Sequence, residues 1–350
     1  MPANCHPQNE ILHFMQKAYK LDDTEARKLA FLYRHSNIKQ RYSVIEDFSN
    51  PDEQWAFVQV NGHGNPTLND RMKIFHQHAL TLSVNAINNC INNVLDARQI
   101  THLITVSCTG MSAPGLDLEV AEALDLSPNI FRTSVNFMGC YAAIHALKIA
   151  KMICDSTTDA NVVIVCTEIC TIHFQQEYTL DNAASSLLFA DGSAAVLVSN
   201  SIASSKYLKL KNFYSEVAYK GKKDMSWQLS NDGFLMTLSA YIPQLIKEDI
   251  NCFVQKALHA ADIKQEEITH WCIHPGGKKI LEVIQTKLGL SDQHLSYSKD
   301  VLSEFGNMSS STILFILKQM LEELNGSPAN VFGVAFGPGL TMETFIASKE

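Results

Sequence analysis

Three residues of this 350-residue chain carry side chains that could act together as a nucleophile, a base and an amide donor. Cys140 follows Gly139 at the predicted start of an apolar helix, where unpaired backbone amides and the helix dipole favour a thiolate and lower the thiol pKa. His274 ends the apolar run WCIH, and the Pro-Gly-Gly after it stops regular structure. Asn307 follows Gly306 at the start of a second apolar helix. Such a set suits covalent catalysis through a thioester.

The chemistry that this set could support is acyl transfer. The cysteine would hold an acyl group, while N–H groups of the histidine and the asparagine donate to a developing oxyanion. Two such donors would also stabilise the enolate that forms when a malonyl thioester loses CO₂. A metal site is the alternative, because Cys166, Cys170 and His173 are close in the sequence. On a strand, however, the histidine points away from the two cysteines, and no second pair of ligands completes the site.

An internal repeat explains how such distant residues could meet. HLITVSCTG at 102–110 resembles THWCIHPGG at 269–277. FMGCYAAIHALKIAKM, which contains Cys140, resembles EFGNMSSSTILFILKQM, which contains Asn307, and the glycines before these two residues lie 167 positions apart. ANVVIVC and ANVFGVAF form a third similar pair at nearly the same offset. Three segments in the same order indicate a duplicated unit.

The duplication predicts two α/β halves related by a pseudo-two-fold axis. Residues 1–205 would form the half that carries the cysteine, and residues 206–350 the half that carries the histidine and the asparagine. Apolar strands and buried helices in both halves predict a layered α/β/α/β/α sandwich. A helix is also expected from about Leu238 to His259.

Composition excludes several classes of protein. With 46% apolar and 18% charged residues the chain can bury a large core, and 28 Lys and Arg against 36 Asp and Glu give a net charge of −8. The acidic balance argues against a nucleic-acid binder, and no apolar stretch has the length of a membrane span. Nine cysteines without a secretory signal indicate a reducing compartment, so we expect a soluble cytoplasmic protein. The low charged fraction favours an oligomer.

These residues together resemble the chalcone-synthase-like type III polyketide synthases of the thiolase superfamily. The markers are Gly-Cys at 139–140, HPGG at 274–277, GNMSS at 306–310, and FGPGLT at 336–341 followed by Glu343. The resemblance implies a thiolase-like fold, a homodimer, and no metal or organic prosthetic group. It implies an acyltransferase that loads a starter from acyl-CoA on Cys140, extends it with malonyl-CoA by decarboxylative Claisen condensation, and cyclises the product. His274 and Asn307 would generate the thiolate and form the oxyanion site.

The resemblance also implies positions that contact substrate. The substrate-binding positions are Thr109, Ala113, His173, Phe189, Met236, Ser309, Gly337 and Pro338. The coenzyme A contacts are Lys28, Arg34, Gly276 and Lys279. Met236 departs from the phenylalanine that is usual in the family. Phe31 and His35 stand where basic phosphate contacts are usual, and Arg34 or Lys279 would replace them.

Three alternatives remain open from the sequence. One is a ketoacyl synthase III-like enzyme that initiates fatty acids, against which FGPGLT argues. Another is an acyl-binding protein without activity, against which the complete Cys, His and Asn set argues.

The starter and product are a separate question. Small Ala113 and flexible Met236 favour an aliphatic starter and an alkylpyrone or alkylresorcinol product. The third alternative is a synthase that uses malonyl-CoA alone, because His173 could close the cavity to long starters.

Overall fold

The computed structural model describes residues 1–58, 66–239, 241–324 and 327–350. The strands are β1 (Asn4–Pro7), β2 (Gln40–Ser43), β3 (His102–Ser107), β4 (Phe131–Asn136), β5 (Asn161–Ile169), β6 (Asp191–Ser199), β7 (Lys209–Val217), β8 (Met225–Ser230), β9 (Gly233–Leu238), β10 (His270–Ile273), β11 (Ala329–Gly337) and β12 (Thr341–Lys349). The helices are α1 (Gln8–Ala18), α2 (Asp23–Arg34), α3 (Leu68–Ile91), α4 (Leu116–Ala123), α5 (Ala142–Ser156), α6 (Leu180–Leu188), α7 (Ile242–Ala260), α8 (Lys278–Leu288), α9 (Ser296–Phe305) and α10 (Thr312–Glu323).

Two four-stranded sheets share one arrangement. The first has the order β4-β3-β5-β6, with β3 parallel to β4 and β5, and β6 antiparallel to β5. The second has the order β10-β11-β12-β7, with β10 parallel to β11, and β12 antiparallel to its neighbours. The strands β3, β5 and β6 therefore correspond to β10, β11 and β12. The predicted duplication is confirmed, and the two sheets differ at their edge strands β4 and β7.

The sheets and helices alternate in layers. Helices α5 and α10 lie between the sheets, in one apolar cluster with the inward side chains of both. On β3, Ile104 and Val106 face this cluster, whereas Leu103 faces a second cluster formed with α3 and α4. The second sheet is covered on its outer face by α7 and α8. Strands covered on both faces are mostly apolar, as in β5, where all nine residues are buried and only Asn161, Thr167 and Glu168 are polar. The predicted thiolase-like α/β/α/β/α sandwich is confirmed.

Two details of the predicted organisation can be compared with the structure. The expected boundary at residues 205 and 206 falls in the connection between β6 of the first sheet and β7 of the second. The helix expected from about Leu238 begins later, at Ile242, because residues up to Leu238 form β9 in a hairpin with β8. No helix in the described part of the chain is both long and apolar enough to cross a membrane.

Two glycines at equivalent places in the repeat set the direction of the chain before α5 and α10. Gly139 has φ +81°, and a Cβ there would lie 2.3 Å from Cδ of Pro338. Gly306 has φ +70°, and its Cβ would lie 2.8 Å from Cγ of Arg41. Glycine alone adopts this conformation without strain and leaves room for these neighbours. The glycines thus explain why the two helices begin with Cys140 and Asn307 nearby.

We expect Gly306→Ala to destabilise the protein more than Gly289→Ala. Both residues have positive φ, which costs an L-residue roughly 1–2 kcal/mol, but a Cβ at Gly289 would meet nothing within 4 Å. Urea unfolding of the two variants measures the difference. Equal losses in the free energy of unfolding would show that the crowding by Arg41 is relieved at no cost.

Candidate active site

Cys140 lies in the turn between β4 and α5, two residues before the helix begins at Ala142. Its side chain is half-buried, and the side chains of Ser309 and Asn307, from the other half of the molecule, act to lower the pKa of its thiol. The nucleophile candidate therefore sits where the two halves meet.

His274 directly follows β10 at the same junction. Its backbone N–H donates to the carbonyl of Val334 at 2.9 Å, which extends the parallel ladder with β11 by one residue. The residue is 1% exposed. Both ring nitrogens are buried without a hydrogen-bond partner among the described residues. Unpaired buried polar atoms are costly, so this imidazole is placed for a partner that arrives with the substrate.

Asn307 is held by backbone bonds to the first half. Its N–H donates to the carbonyl of Leu188 at 3.0 Å, and its carbonyl accepts from the N–H of Ala190 at 2.9 Å. Its side-chain Oδ1 accepts the N–H of Ser309 at 2.8 Å. Because the oxygen is occupied, the amide N–H₂ is the group left to face Cys140.

These three side chains line one cavity of about 660 Å³. The predicted substrate positions that line it are Thr109, Phe189, Met236, Ser309 and Pro338, and the predicted coenzyme A contact Gly276 lines it too. Much of the remaining wall is apolar and was not singled out from the sequence. It includes Met225, Trp227, Leu238, Ile280 and Phe336, with the thiol of Cys108 beside them.

Three predicted substrate positions, Ala113, Gly337 and His173, do not line this cavity. Ala113 lies on an exposed loop after β3, because the chain leaves the sheet at Gly110 and runs outward to α4. Gly337 is buried behind the wall, where a Cβ would lie 2.5 Å from the ring of Tyr141. In this chain the neighbouring Pro338 lines the cavity instead.

His173 also stands outside this cavity, in the wall behind it. Its Nε2–H donates to the carbonyl of Thr109 at 2.7 Å, and its Nδ1 accepts the N–H of Phe234 at 3.1 Å. Its ring stacks on Phe234 with centroids 4.2 Å apart. Burial lowers its pKa to about 3, which keeps the ring neutral. With both nitrogens bound to the backbone, His173 fastens the β8–β9 hairpin to the end of β3.

A second cavity of about 440 Å³ lies beyond this wall. The two cavities share Cys170, Phe189, Trp227 and Met236, and His173 lines only the second. Trp227 is fixed in the partition, since its Nε1–H donates to the carbonyl of Cys108 at 2.7 Å. The residues that the structure describes contain no group of three or more His, Cys, Asp or Glu side chains arranged to hold a metal ion.

The three charged residues predicted to contact coenzyme A lie on the surface. Lys28 and Arg34 are exposed on α2, where Lys28 pairs with Glu25 at 2.7 Å. Lys279 is exposed at the start of α8 and lies 3.4 Å from Glu282. None of the three lines the cavity.

Met236 was predicted from the sequence, but the hairpin that carries it and the wall residue Trp227 were not, although a signal was present. The run Asn-Asp-Gly at 231–233 is typical of a tight hairpin turn. It separates two short β-rich segments that contain Trp227 and Met236. Reading that turn would have placed Trp227 on a strand opposite Met236, as the register shows.

Two opposing effects act on the ionisation of Cys140. Burial raises the pKa of the Cys140 thiol to about 12, although hydrogen bonds from Ser309 and Asn307 act in the opposite direction. Burial also lowers the pKa of His274 to about 3. The helix lowers a thiol pKa by a dipole effect that is smaller than the cost of placing a thiolate in an apolar cavity. Burial thus opposes a lone thiolate and a lone imidazolium at this junction.

This fold and this junction of Cys, His and Asn define a thiolase-like acyl-transferring enzyme. The sequence matches the family described as chalcone and stilbene synthases, with residues 1–201 in its N-terminal domain and residues 210–349 in its C-terminal domain. The chain belongs to that family, which confirms the resemblance read from the motifs.

Individual relatives and solved structures support membership of this family. The chain is 30% identical over 330 residues to the "Alpha-pyrone synthesis polyketide synthase-like Pks18" of Mycobacterium tuberculosis, covering 92% of this chain and 82% of the relative. It superimposes on PKS-I of the brown alga Ectocarpus siliculosus with a TM-score of 0.90 at 26% identity, covering 100% and 96% of the two chains. The type III polyketide synthase domain of Steely1 from Dictyostelium gives a TM-score of 0.92 at 25% identity, with the same coverage. The protein is a type III polyketide synthase, an acyltransferase that catalyses decarboxylative condensation.

We expect Cys140 to react slowly with iodoacetamide at neutral pH and faster as pH rises. Below the pKa of a thiol, the thiolate fraction grows by up to about tenfold per pH unit. Mass spectrometry of the peptide that contains Cys140 measures the rate between pH 6 and 10, with Cys140→Ser as the control. A rate that levels off near pH 7 would instead indicate a thiol with a low pKa.

Proposed function

We propose that Cys140 carries the growing acyl chain, with His274 as its proton acceptor, and that His274 and Asn307 stabilise the enolate formed from malonyl-CoA. Enzymes of this family use acyl-CoA and malonyl-CoA in general. One observation carries the assignment. A thiol, an imidazole with two unpaired buried nitrogens and an asparagine amide line one mostly apolar cavity.

Loading would begin with transfer of the Cys140 proton to a ring nitrogen of His274. The sulfur then attacks the carbonyl carbon of the starter acyl-CoA. When the carbon–sulfur bond to coenzyme A breaks, the leaving thiolate takes the proton back from His274. The neutral state of His274 supports this step, because only a neutral imidazole has an acceptor nitrogen.

Extension uses the same groups in another way. Malonyl-CoA loses CO₂, and the electron pair of the broken carbon–carbon bond passes to the thioester oxygen as an enolate. A neutral imidazole keeps one N–H, which with the Asn307 amide gives two donors for that oxygen. The enolate carbon then attacks the acyl group on Cys140 and releases the sulfur. These steps use coenzyme A thioesters as substrates and need no metal or organic cofactor.

The test separates loading from decarboxylation. Cys140→Ala should abolish the acyl adduct seen by intact-protein mass spectrometry with an acyl-CoA. Asn307→Ala should slow CO₂ release from malonyl-CoA by about 10²–10³, the usual effect of removing one oxyanion donor, while sparing the adduct. An adduct of normal stoichiometry on Cys140→Ala contradicts the nucleophile, and equal losses in both steps for Asn307→Ala contradict its role.

We propose an aliphatic starter of limited length and a pyrone-type product. The apolar side chains of Met225, Met236 and Leu238 support it, since they adapt to alkyl chains. The wall formed by Trp227 and His173 limits the length. The mycobacterial relative is named for alpha-pyrone synthesis, which supports the same product class.

We expect kcat/KM to rise with each methylene added to the starter. It should fall abruptly once the acyl chain is long enough to reach the wall formed by Trp227 and His173. Burial of one methylene contributes about 0.8 kcal/mol, or roughly fourfold in kcat/KM. Trp227→Ala should shift the optimum to longer acyl chains, because the indole separates the two cavities. Leu229→Ala, at an exposed position of the same strand, is the matched control. The aliphatic proposal fails if malonyl-CoA alone or an aromatic starter gives the main product at full rate.

We propose that two copies of the chain pair across the free edge of the first sheet. Strand β4 is at that edge, and apolar side chains are exposed around it. Phe131 lies on the strand, Met111 on the loop before α4, and Leu118 on α4. An uncovered strand with apolar side chains favours association with another chain.

The cytoplasmic location inferred from the cysteines stays a prediction.

Sedimentation at micromolar concentration should therefore show a dimer. Phe131→Lys should weaken it, because the charge would be buried in the interface. Tyr241→Lys changes an exposed aromatic residue elsewhere and should leave the dimer intact. A wild-type monomer with full activity would refute the proposal.

A further inference from the structure

A buried arginine that the proposed steps do not use lines the second cavity. Arg41, on β2, is 2% exposed. Its Nε–H donates to Oε1 of Gln8 at 2.9 Å, and its Nη1 donates to the carbonyl of Phe189. The remaining nitrogen, Nη2, is buried without a hydrogen-bond partner among the described residues. An unpaired buried donor on a cation is costly, so this group is placed for an acceptor that the chain does not supply.

The guanidinium of Arg41 donates to no carboxylate in the part of the chain that the structure describes. Burial lowers its pKa, and Tyr33 and Asp191 act in the opposite direction. The carboxylate of Asp191 has other partners, however. Its Oδ1 accepts the N–H of Thr171 at 2.8 Å, and its Oδ2 accepts the Thr171 hydroxyl at 2.6 Å and the N–H of Val44 at 2.9 Å. Because a guanidinium stays protonated in proteins, Arg41 brings to the cavity a positive charge that no carboxylate binds directly.

The cavity that this charge borders has room for a small molecule. Its volume of about 440 Å³ lies within the roughly 300–1,000 Å³ that is usual for such sites. Apolar side chains of Met15, Phe48, Phe174 and Phe234 form part of its lining, together with the hydroxyls of Ser185 and Ser186. Its described lining contains no Asp or Glu. The lining therefore combines one cation with a largely uncharged surface.

We propose that the second cavity binds an aliphatic carboxylate, with its carboxylate group at Nη2 of Arg41 and its alkyl chain against Met15 and Phe48. A guanidinium recognises carboxylates and phosphates alike. A phosphate dianion, however, would leave an unmatched negative charge in a buried cavity, whereas a monoanion with an apolar body matches both the charge and the lining. The partition that contains Trp227 separates this site from the cavity of Cys140. The proposal therefore goes beyond the proposed function and does not depend on it.

Isothermal titration of the whole protein with octanoate and octanamide tests the recognition of charge. The two probes have the same alkyl chain, and only octanoate is an anion. Octanoate should bind about tenfold more tightly or better, as expected for hydrogen bonds to a charged group. Arg41→Met should remove this difference, whereas Arg98→Met, which removes an exposed arginine, should preserve it. Equal affinities of the two probes for the wild-type protein, or no binding of octanoate, overturn the proposal.

Photolabelling of the wild-type protein tests the location and covers the case in which Arg41→Met does not fold. An octanoate analogue with a diazirine at its alkyl end should label the peptides that contain Met15 or Phe48, which line only the second cavity. Excess octanoate should prevent this labelling. Labelling confined to the peptides that contain Ile280 or Phe336, which line only the first cavity, would place the probe beside Cys140 and contradict the proposed site.

Discussion

Two backbone hydrogen bonds between Asn307 and the connection from α6 to β6 determine the geometry of the site. They join Asn307 to Leu188 and Ala190, and Phe189 between these residues becomes part of the cavity wall. Because the bonds involve only backbone atoms, they place the asparagine before any substrate arrives, and Ser309 N–H then orients its amide. In the proposed decarboxylation, a donor fixed in advance would need no reorganisation as the enolate forms, which is where such donors contribute most.

The apolar surroundings of these donors disfavour isolated charges but also keep water away from the reacting groups. Burial makes the thiolate and the imidazolium unfavourable when each is considered alone. A thiolate and an imidazolium formed together stabilise each other, however, since opposite charges interact strongly in a poorly solvated site. The same exclusion of water protects a thioester and a reactive enolate from side reactions. A poorly solvated junction of thiol and imidazole is consistent with a cavity that must hold unstable chains.

Sequence alone predicted the parts of the site that depend on local patterns. The repeat located Cys140 and Asn307 at equivalent turns, because the glycine before each needs positive φ and precedes a buried helix. The sequence does not reveal that Ala113 lies on an exposed loop outside the cavity of its own chain. Nor does it reveal how strongly burial opposes ionisation of the Cys140 thiol, because burial depends on residues far away in the sequence. The hairpin wall was missed since its contact with the cavity is made by tertiary packing.

One dipeptide after β3 supports both parts of the cavity wall. The carbonyl of Cys108 accepts from the indole of Trp227, and the carbonyl of Thr109 accepts from the ring of His173, so both side chains are positioned by this short segment. The same dipeptide donates its Cys108 N–H and Thr109 hydroxyl to the buried carboxylate of Glu168, which follows on the neighbouring strand β5. The position of the wall therefore depends on hydrogen bonds between two adjacent strand ends, because the carboxylate of one holds the dipeptide of the other.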